Sequence, residues 1–363
     1  MNTTAADTVG IDLAKNVFSL CILDAGGRVK GRLQLRRGKL AEWLAQQPPG
    51  LVVAMETCGG AHYWARLCER LGLKARLVSA WLVWPFRKST RIKNDANDAE
   101  AIATAARQGN MRFVAIKSED QQVRLANHAL REGYKKEKLA ATNRIRGLLL
   151  EFGVAIPKTQ AALREALPEV LDNPELPLAL KVLLAEQQAH VRYLDERIHA
   201  CEQRIAEQVK QDDRCRRIQA MTGVGPVTAD AIVASIGEGK SYANGRQFAA
   251  SQGLVPGQHS TGGRSRLGHI TRTGDGYLRT LLIQGARSTV QVAENTPDER
   301  ATPEQLWIKA LLRRQSIFGK VLVAVANKHA RQIWAMLARG EDYDRLAALK
   351  HPLAMVNNQL AQA

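Results

Sequence analysis

The sequence predicts an α/β N-terminal domain, a helical coiled-coil hairpin, and a mainly α-helical C-terminal domain. Three patterns carry this expectation. Between residues 9 and 107, short apolar strand runs precede and then alternate with helical segments. Between residues 180 and 205, apolar residues recur at alternating spacings of four and three. Beyond residue 217, a glycine turn and further helical runs flank a stretch rich in Gly, Ser and Arg.

The chain begins with Val9-Gly10-Ile11-Asp12-Leu13-Ala14, an apolar strand run interrupted by one acid. Val17–Leu23 is a second strand, closed by the turn Asp24-Ala25-Gly26-Gly27. Residues 28–35 place Val29, Leu33 and Leu35 among polar residues, which suits a half-exposed third strand. A helix over 40–46 ends at Pro48-Pro49-Gly50. Leu51-Val52-Val53-Ala54-Met55 reads as a buried strand with Glu56 at its end. A helix over 61–71, a strand over 75–78 and a helix over 95–107 follow; the last is rich in alanine, the best helix former. The order strand, strand, strand, helix, strand, helix, strand, helix is that of the ribonuclease H-like fold. That fold draws its acids from the first strand, the end of the fourth, and a later helix. Here those places hold Asp12, Glu56, and Asp95 with Asp98. A carboxylate in an apolar strand is costly unless paired or bound to metal. Asp95 and Asp98 share one face of a first helical turn, where two readings stand: solvated N-terminal acids, or half of a metal site.

Residues 119–150 form a long basic helix with Arg124, Arg131, Lys135, Lys136, Lys138, Arg144 and Arg146. Pro157, Pro168, Pro174 and Pro177 break the chain after it. Leu180, Leu184, Gln187, Val191, Leu194, Ile198, Cys201 and Ile205 then make a heptad seam, and the two helices fold back as an antiparallel hairpin. Its basic face, with Lys135, Lys136, Arg144 and Arg146, is either a phosphate-binding surface or a plain solvated one. Gly223-Val224-Gly225-Pro226 has the form of a helix-hairpin-helix turn. Its glycines either offer backbone amides to a phosphate or make an ordinary tight turn. From 253 to 279 the chain carries Ser260, Thr261, Arg264, Arg266, Arg272 and Arg279 among glycines. A hydroxyl there can attack a phosphodiester with arginines stabilising the charge, or the loop only binds phosphate. Helices over 281–290 and 318–339 close the domain. Trp307, Trp334 and the other aromatics are assigned to the core, with no stacking platform. The expected divisions are 1–118, 119–213, 214–345, and a loosely packed tail over 346–363.

The totals set the partners. A chain of 363 residues with formal charge +17 is matched to a polyanion, nucleic acid first and an anionic membrane surface second. No apolar run is long enough to span a membrane, and the N-terminus lacks the basic and apolar regions of a signal peptide. Five cysteines without a C-x-x-C pair read as reduced thiols of a cytosolic protein, not a zinc site.

One ordered set of motifs carries a resemblance. It comprises Gly10-Ile11-Asp12-Leu13-Ala14-Lys15, Met55-Glu56-Thr57-Cys58-Gly59, and Lys93-Asn94-Asp95-Ala96-Asn97-Asp98-Ala99. Gly223-Val224-Gly225-Pro226, Gly253-Leu254-Val255-Pro256, Gln258-His259-Ser260-Thr261-Gly262-Gly263 and Gly274-Asp275-Gly276-Tyr277-Leu278-Arg279 complete it. From about residue 8 to 340 the chain resembles the DEDD transposases of insertion sequence family 110, in its 1111 subgroup. The resemblance implies a RuvC-like domain whose quartet Asp12, Glu56, Asp95 and Asp98 holds Mg²⁺. It implies a C-terminal transposase domain whose serine forms a covalent 5′-phosphoserine link to DNA. It further implies donor and target DNA as substrates, a structured guide RNA from the element's non-coding end, and a tetrameric synapse. Counted from the Gly-Leu-x-Pro motif, the nucleophile of relatives with a Ser-Gly pair aligns with Thr261, one residue after Ser260; Ser260 is the expected nucleophile and Thr261 the alternative. Two rival readings remain at this stage. One is a Holliday-junction resolvase-like nuclease that uses the acids alone; the other is a nucleic-acid-binding scaffold without chemistry.

Overall fold

The computed structural model describes residues 3–87, 95–259 and 266–346. The chain divides into two compact units, Met1–Glu119 and Asp120–Ala363.

The first unit is a mixed α/β layer structure. Its elements are β1 (Thr8–Asp12), β2 (Val17–Leu23), β3 (Val29–Arg36), α1 (Arg37–Ala45), β4 (Val52–Glu56), α2 (Ala61–Arg70), β5 (Lys74–Val78), α3 (Ala80–Val83), α4 (Asp95–Ala106) and β6 (Phe113–Val114). The sheet order is β3-β2-β1-β4-β5-β6. β2 is antiparallel to β1 and β3, whereas β4 runs parallel to both β1 and β5. Side chains alternate across the sheet, so the inner strands β1, β2, β4 and β5 each pack on both faces, whereas β3 packs only on one. Val9, Ile11, Phe18, Leu20, Ile22, Val53, Met55 and Leu77 pack against α1 and α2 on one face. The other face carries Ala54 and Val78 with Ile102 of α4, and Cys21 and Leu23 with Ala99 and Ala103. Asp12 and Glu56 fall on the α4 face by the same alternation.

After α3 the chain continues as a 3-10 turn, Trp84–Phe86. Val83 is buried there and Leu82 and Phe86 pack on the α4 core. Trp81 and Trp84 instead face solvent, 69% and 57% exposed. The expectation that the aromatics are core is therefore corrected at these two positions, and also at Tyr63, Phe152, Tyr193 and Phe318, which are exposed as well. The turn is amphipathic, and Leu82, Val83 and Phe86 already fill its inner side.

The second unit is mainly helical. It contains α5 (Glu119–Leu150), α6 (Gln160–Asp172), α7 (Leu178–Gln211), α8 (Asp213–Ile218), α9 (Pro226–Ile236), α10 (Gly245–Ser251), β7 (Pro256–Gln258), β8 (Leu267–Ile270), α11 (Gly276–Asn295), α12 (Pro303–Arg314) and α13 (Phe318–Arg339). α5 and α7 form the expected antiparallel hairpin: Asn127 donates to the Cys201 carbonyl at 3.0 Å, and Arg144 to Gln187 at 2.7 Å. Along the heptad seam Leu180, Leu184, Leu194, Cys201 and Ile205 are buried.

Several elements differ from expectation, the helices α6, α8 and α10 among them. Pro168 lies inside α6, because Leu163, Leu167 and Val170 bury against the hairpin core and offset the lost hydrogen bond. The glycine-rich stretch after 255 contains a two-stranded hairpin, β7 with β8. α12 was not expected, although Thr302 and Gln305 close a capping box around Pro303. The expected tail beyond 346 lies outside the described residues.

Candidate active site

The acidic centre is built by one close packing contact. Gly10 sits in β1 two residues before Asp12, so both project to the α4 face. A Cβ at Gly10 would lie 2.1 Å from the Ala99 carbonyl oxygen and 2.8 Å from the Ala103 Cβ. The strand offers no side chain and α4 offers alanines, so the helix lies directly on the strand. Its first turn, with Asp95 and Asp98, is thereby brought beside Asp12.

The carboxylate oxygens of Asp12, Asp95 and Asp98 lie within 4.8 Å of one another. Asp98 is buried, Asp12 half-buried and Asp95 exposed. The helix N-terminus offsets part of their mutual repulsion. Ile11 stands beside Met55 in the sheet, so Asp12 and Glu56 follow at neighbouring strand ends. Glu56 is not one of the three converging acids. Its carboxylate faces the Arg87 guanidinium at 3.5 Å, and the same guanidinium reaches Asp98 at 3.0 Å. Arg87 thus bridges the fourth acid to the cluster. Burial, with the Glu56 and Asp12 charges added, pushes the nearby Cys58 thiol above its ordinary value. An all-oxygen set of this kind suits a hard divalent cation. Lys93 and Asn94 of the same motif lie outside the described residues.

Arg87 escaped the sequence reading. It contacts Glu56 across 31 positions, and nothing in its local spacing marks it.

The other expected site residues are placed as follows. Ser260, Thr261 and Arg264 lie outside the described residues, in the segment between β7 and β8. His259 and Arg266 flank that segment, joined by a main-chain bond from the His259 amide to the Arg266 carbonyl at 2.9 Å. Arg272 is exposed and adopts a left-handed φ of 53°. Arg279 donates to the Gln252 and Thr273 carbonyls at 3.1 and 2.9 Å, so it ties this loop together. Arg146 is spent similarly on the Pro157, Lys158 and Thr159 carbonyls. Arg144 bonds Gln187, and Lys135 pairs with Glu132, while Lys136 is exposed. Gly223 has φ 84° and meets Gly285 of α11 so closely that a Cβ would lie 2.3 Å from its carbonyl oxygen. Packing alone therefore requires that glycine. Gly225 has open space and caps α9 ahead of Pro226.

A buried polar cluster also lies in the second unit. Arg124 binds Asp230 at 2.6 Å and Asp212 at 2.9 Å, and His128 bonds Asp230 at 2.8 Å and the Tyr277 hydroxyl at 3.0 Å. Burial alone would raise the Asp212 carboxyl, but hydrogen bonds from Arg214 and Arg124 outweigh it and hold the group at about 2. Burial pushes the Tyr277 phenol up to about 12. Every charge in this cluster is paired, which fits a device joining α5, α8, α9 and α11.

Comparison with known proteins adds to this geometry. The family profile described as Transposase IS116/IS110/IS902 family matches residues 215–301, and the DEDD_Tnp_IS110 transposase profile matches residues 9–153. A probable family 20 transposase of Pseudomonas aeruginosa is 43% identical over 338 residues, covering 92% of this chain and 98% of the relative. The transposase for insertion sequence element IS1328 of Yersinia enterocolitica is 38% identical, covering 93% of this chain and 98% of its own. The transposase for element IS1111A of Coxiella burnetii is 38% identical, covering 92% and 90%.

Proposed function

We propose a mechanism from one premise: the chain belongs to the IS116/IS110/IS902 transposase family and is a DNA transposase. In this reading the first unit is a RuvC-like domain. Asp12, Asp95 and Asp98 hold Mg²⁺, with Glu56 as the fourth acid. The observation that carries the reading is the convergence of three carboxylates from β1 and α4 within 4.8 Å. Asp12, Asp95 and Asp98 would present the ion, which would supply positive charge beside the scissile phosphate and the leaving 3′ oxygen.

The covalent step belongs to Ser260, or to Thr261 as the alternative. Its hydroxyl oxygen bonds to phosphorus, the bond to the 3′ oxygen breaks, and that oxygen takes a proton. Rejoining reverses the step. Arg264, Arg266 and Arg272 stand around that segment in sequence and hold phosphates, as do Lys135, Lys136 and Arg144 on the hairpin and the Gly223–Gly225 turn, while Arg146 and Arg279 hold the shape of their loops. Target choice falls to a structured guide RNA that pairs with donor and target DNA, while the protein reads backbone and shape. The working parts are residues 1–118, 119–213 and 214–345, assembled as a tetramer on DNA in the bacterial cytoplasm. No described helix is long and apolar enough to cross a membrane.

The test is a denaturing gel for protein–DNA adducts on DNA carrying the element's ends, with the element's transcript present. Wild type and Thr261→Ala form an adduct that protease removes, and Ser260→Ala does not. If Ser260→Ala still forms the adduct and Thr261→Ala does not, Thr261 is the nucleophile; if both variants and wild type cut and join DNA without an adduct, the covalent step fails and a resolvase-like use of the acids replaces it.

A further inference from the structure

Trp81 and Trp84 expose large indole surfaces that the fold does not use. They lie three residues apart and share the outward side of one turn. The inward side is already packed by Leu82, Val83 and Phe86. At 69% and 57% exposure, these rings leave a substantial apolar patch in water. The fold alone would be served as well by polar residues here.

We propose that Trp81 and Trp84 form a stacking platform for unpaired bases of the nucleic acid handled at the acidic centre. Three observations choose this occupant. The turn leads to Arg87, three residues after Trp84, and its guanidinium touches Glu56 and Asp98, so the platform and the acids are joined by one short turn. The chain continues from Arg87 as Lys88-Ser89-Thr90-Arg91-Ile92-Lys93, three further cations within six residues of sequence, a composition that matches a phosphate backbone. The patch is too small for a stable protein partner. Two indoles at these exposures offer roughly 300 Å², against about 800 Å² on each side of an ordinary interface. No other large apolar side chain of residues 79–87 is exposed. Indole faces stack on any base, so the platform holds a strand without reading its sequence. It takes unpaired strands only, because bases inside a duplex already stack on each other.

The inference rests on the chain's being a transposase and not on the metal reading, since stacking needs no metal. The experiment is therefore run with EDTA, on the full-length chain, so that it fails separately. The probes are fluorescein-labelled 12-mers of deoxythymidine and of uridine, and a 12-base-pair duplex. Trp81→Ala and Trp84→Ala each weaken single-strand binding about tenfold, in line with stacking energies for one base. The duplex affinity, the melting temperature and the slope of affinity against salt stay at wild-type values. Trp81→Phe recovers most of the loss. The deoxythymidine and uridine arms show whether DNA or RNA is preferred; either preference supports the platform. Single-strand affinity unchanged in the double Ala variant overturns the proposal. If sedimentation then shows a loss of oligomer, the indoles belong to a contact with a second copy.

Discussion

Replacing Gly10 by Ala tests how the acidic centre is assembled. The added methyl would lie 2.1 Å from the Ala99 carbonyl oxygen, 2.6 Å from the Ala103 nitrogen and 2.8 Å from the Ala103 Cβ. Real contacts of this kind do not fall below 3.0 Å, and two of the three partners are main-chain atoms. No side-chain rotation relieves the clash, so α4 must retreat from β1 by about 1 Å. Overpacking of this sort costs about 1–3 kcal/mol. For a unit of this size each kcal/mol lowers Tm by about 4 °C, so a fall of about 4–12 °C is expected. The same retreat carries Asp95 and Asp98 away from Asp12. Mn²⁺ affinity should fall at least about tenfold, because ligand oxygens on one ion cannot lie far beyond 4 Å apart. Differential scanning fluorimetry and calorimetric Mn²⁺ titration read the two effects. Gly38→Ala, in α1 with open space around it, is the control and should stabilise by about 0.5–1 kcal/mol. A Gly10→Ala protein with wild-type Tm and wild-type Mn²⁺ affinity would refute the packing argument.

Other expectations follow from individual contacts. Arg87→Gln removes the cation between Glu56 and Asp98. It should lower the metal-free Tm by a few degrees and tighten Mn²⁺ binding several-fold, both read by fluorimetry with and without the ion; a weaker affinity would show that Arg87 assists the metal. Gly223→Ala should lose about 2 kcal/mol or more in urea unfolding, because the methyl meets the Gly285 carbonyl, whereas Gly225→Ala should change stability little. Asp212, held at about 2 by Arg214 and Arg124 against the opposing effect of burial, titrates well below an unfolded aspartate. A lowered carboxyl pKa stabilises above the unfolded value, and that stability is lost as pH falls through the folded one. Acid unfolding between pH 5 and 2 should therefore flatten in Asp212→Asn, with about 2 kcal/mol at stake, and an unchanged pH profile would contradict the assignment.

Much of the first unit was legible because its strands announce themselves. The run around Gly10 to Leu13, the alternation of Val29, Leu33 and Leu35, and the alanines of α4 each specify one kind of element. Asp12 and Glu56 stood out because a carboxylate in an apolar strand asks for a partner. The heptad seam of α7 was read residue by residue, since its period is a direct image of the buried face. What escaped depended on contacts between distant residues. Arg87 gains its meaning only from Glu56 and Asp98. Arg146 and Arg279 look like phosphate ligands in sequence, yet each satisfies main-chain carbonyls of a neighbouring loop. Trp81 and Trp84 sit among apolar neighbours, and only the direction of the turn decides that they face outward. The capping box at Thr302 is a local sequence signal for α12, whereas the short β7–β8 hairpin carries no alternation.

The central claim is that Asp12, Asp95 and Asp98 form one divalent-cation site on the transposase's first unit. Calorimetric titration of Mn²⁺ into the full-length chain tests it most directly. The account predicts binding by the wild-type protein and a loss of at least about tenfold in both Asp12→Asn and Asp98→Asn, with folding intact by circular dichroism. Wild-type affinity in both variants would contradict it.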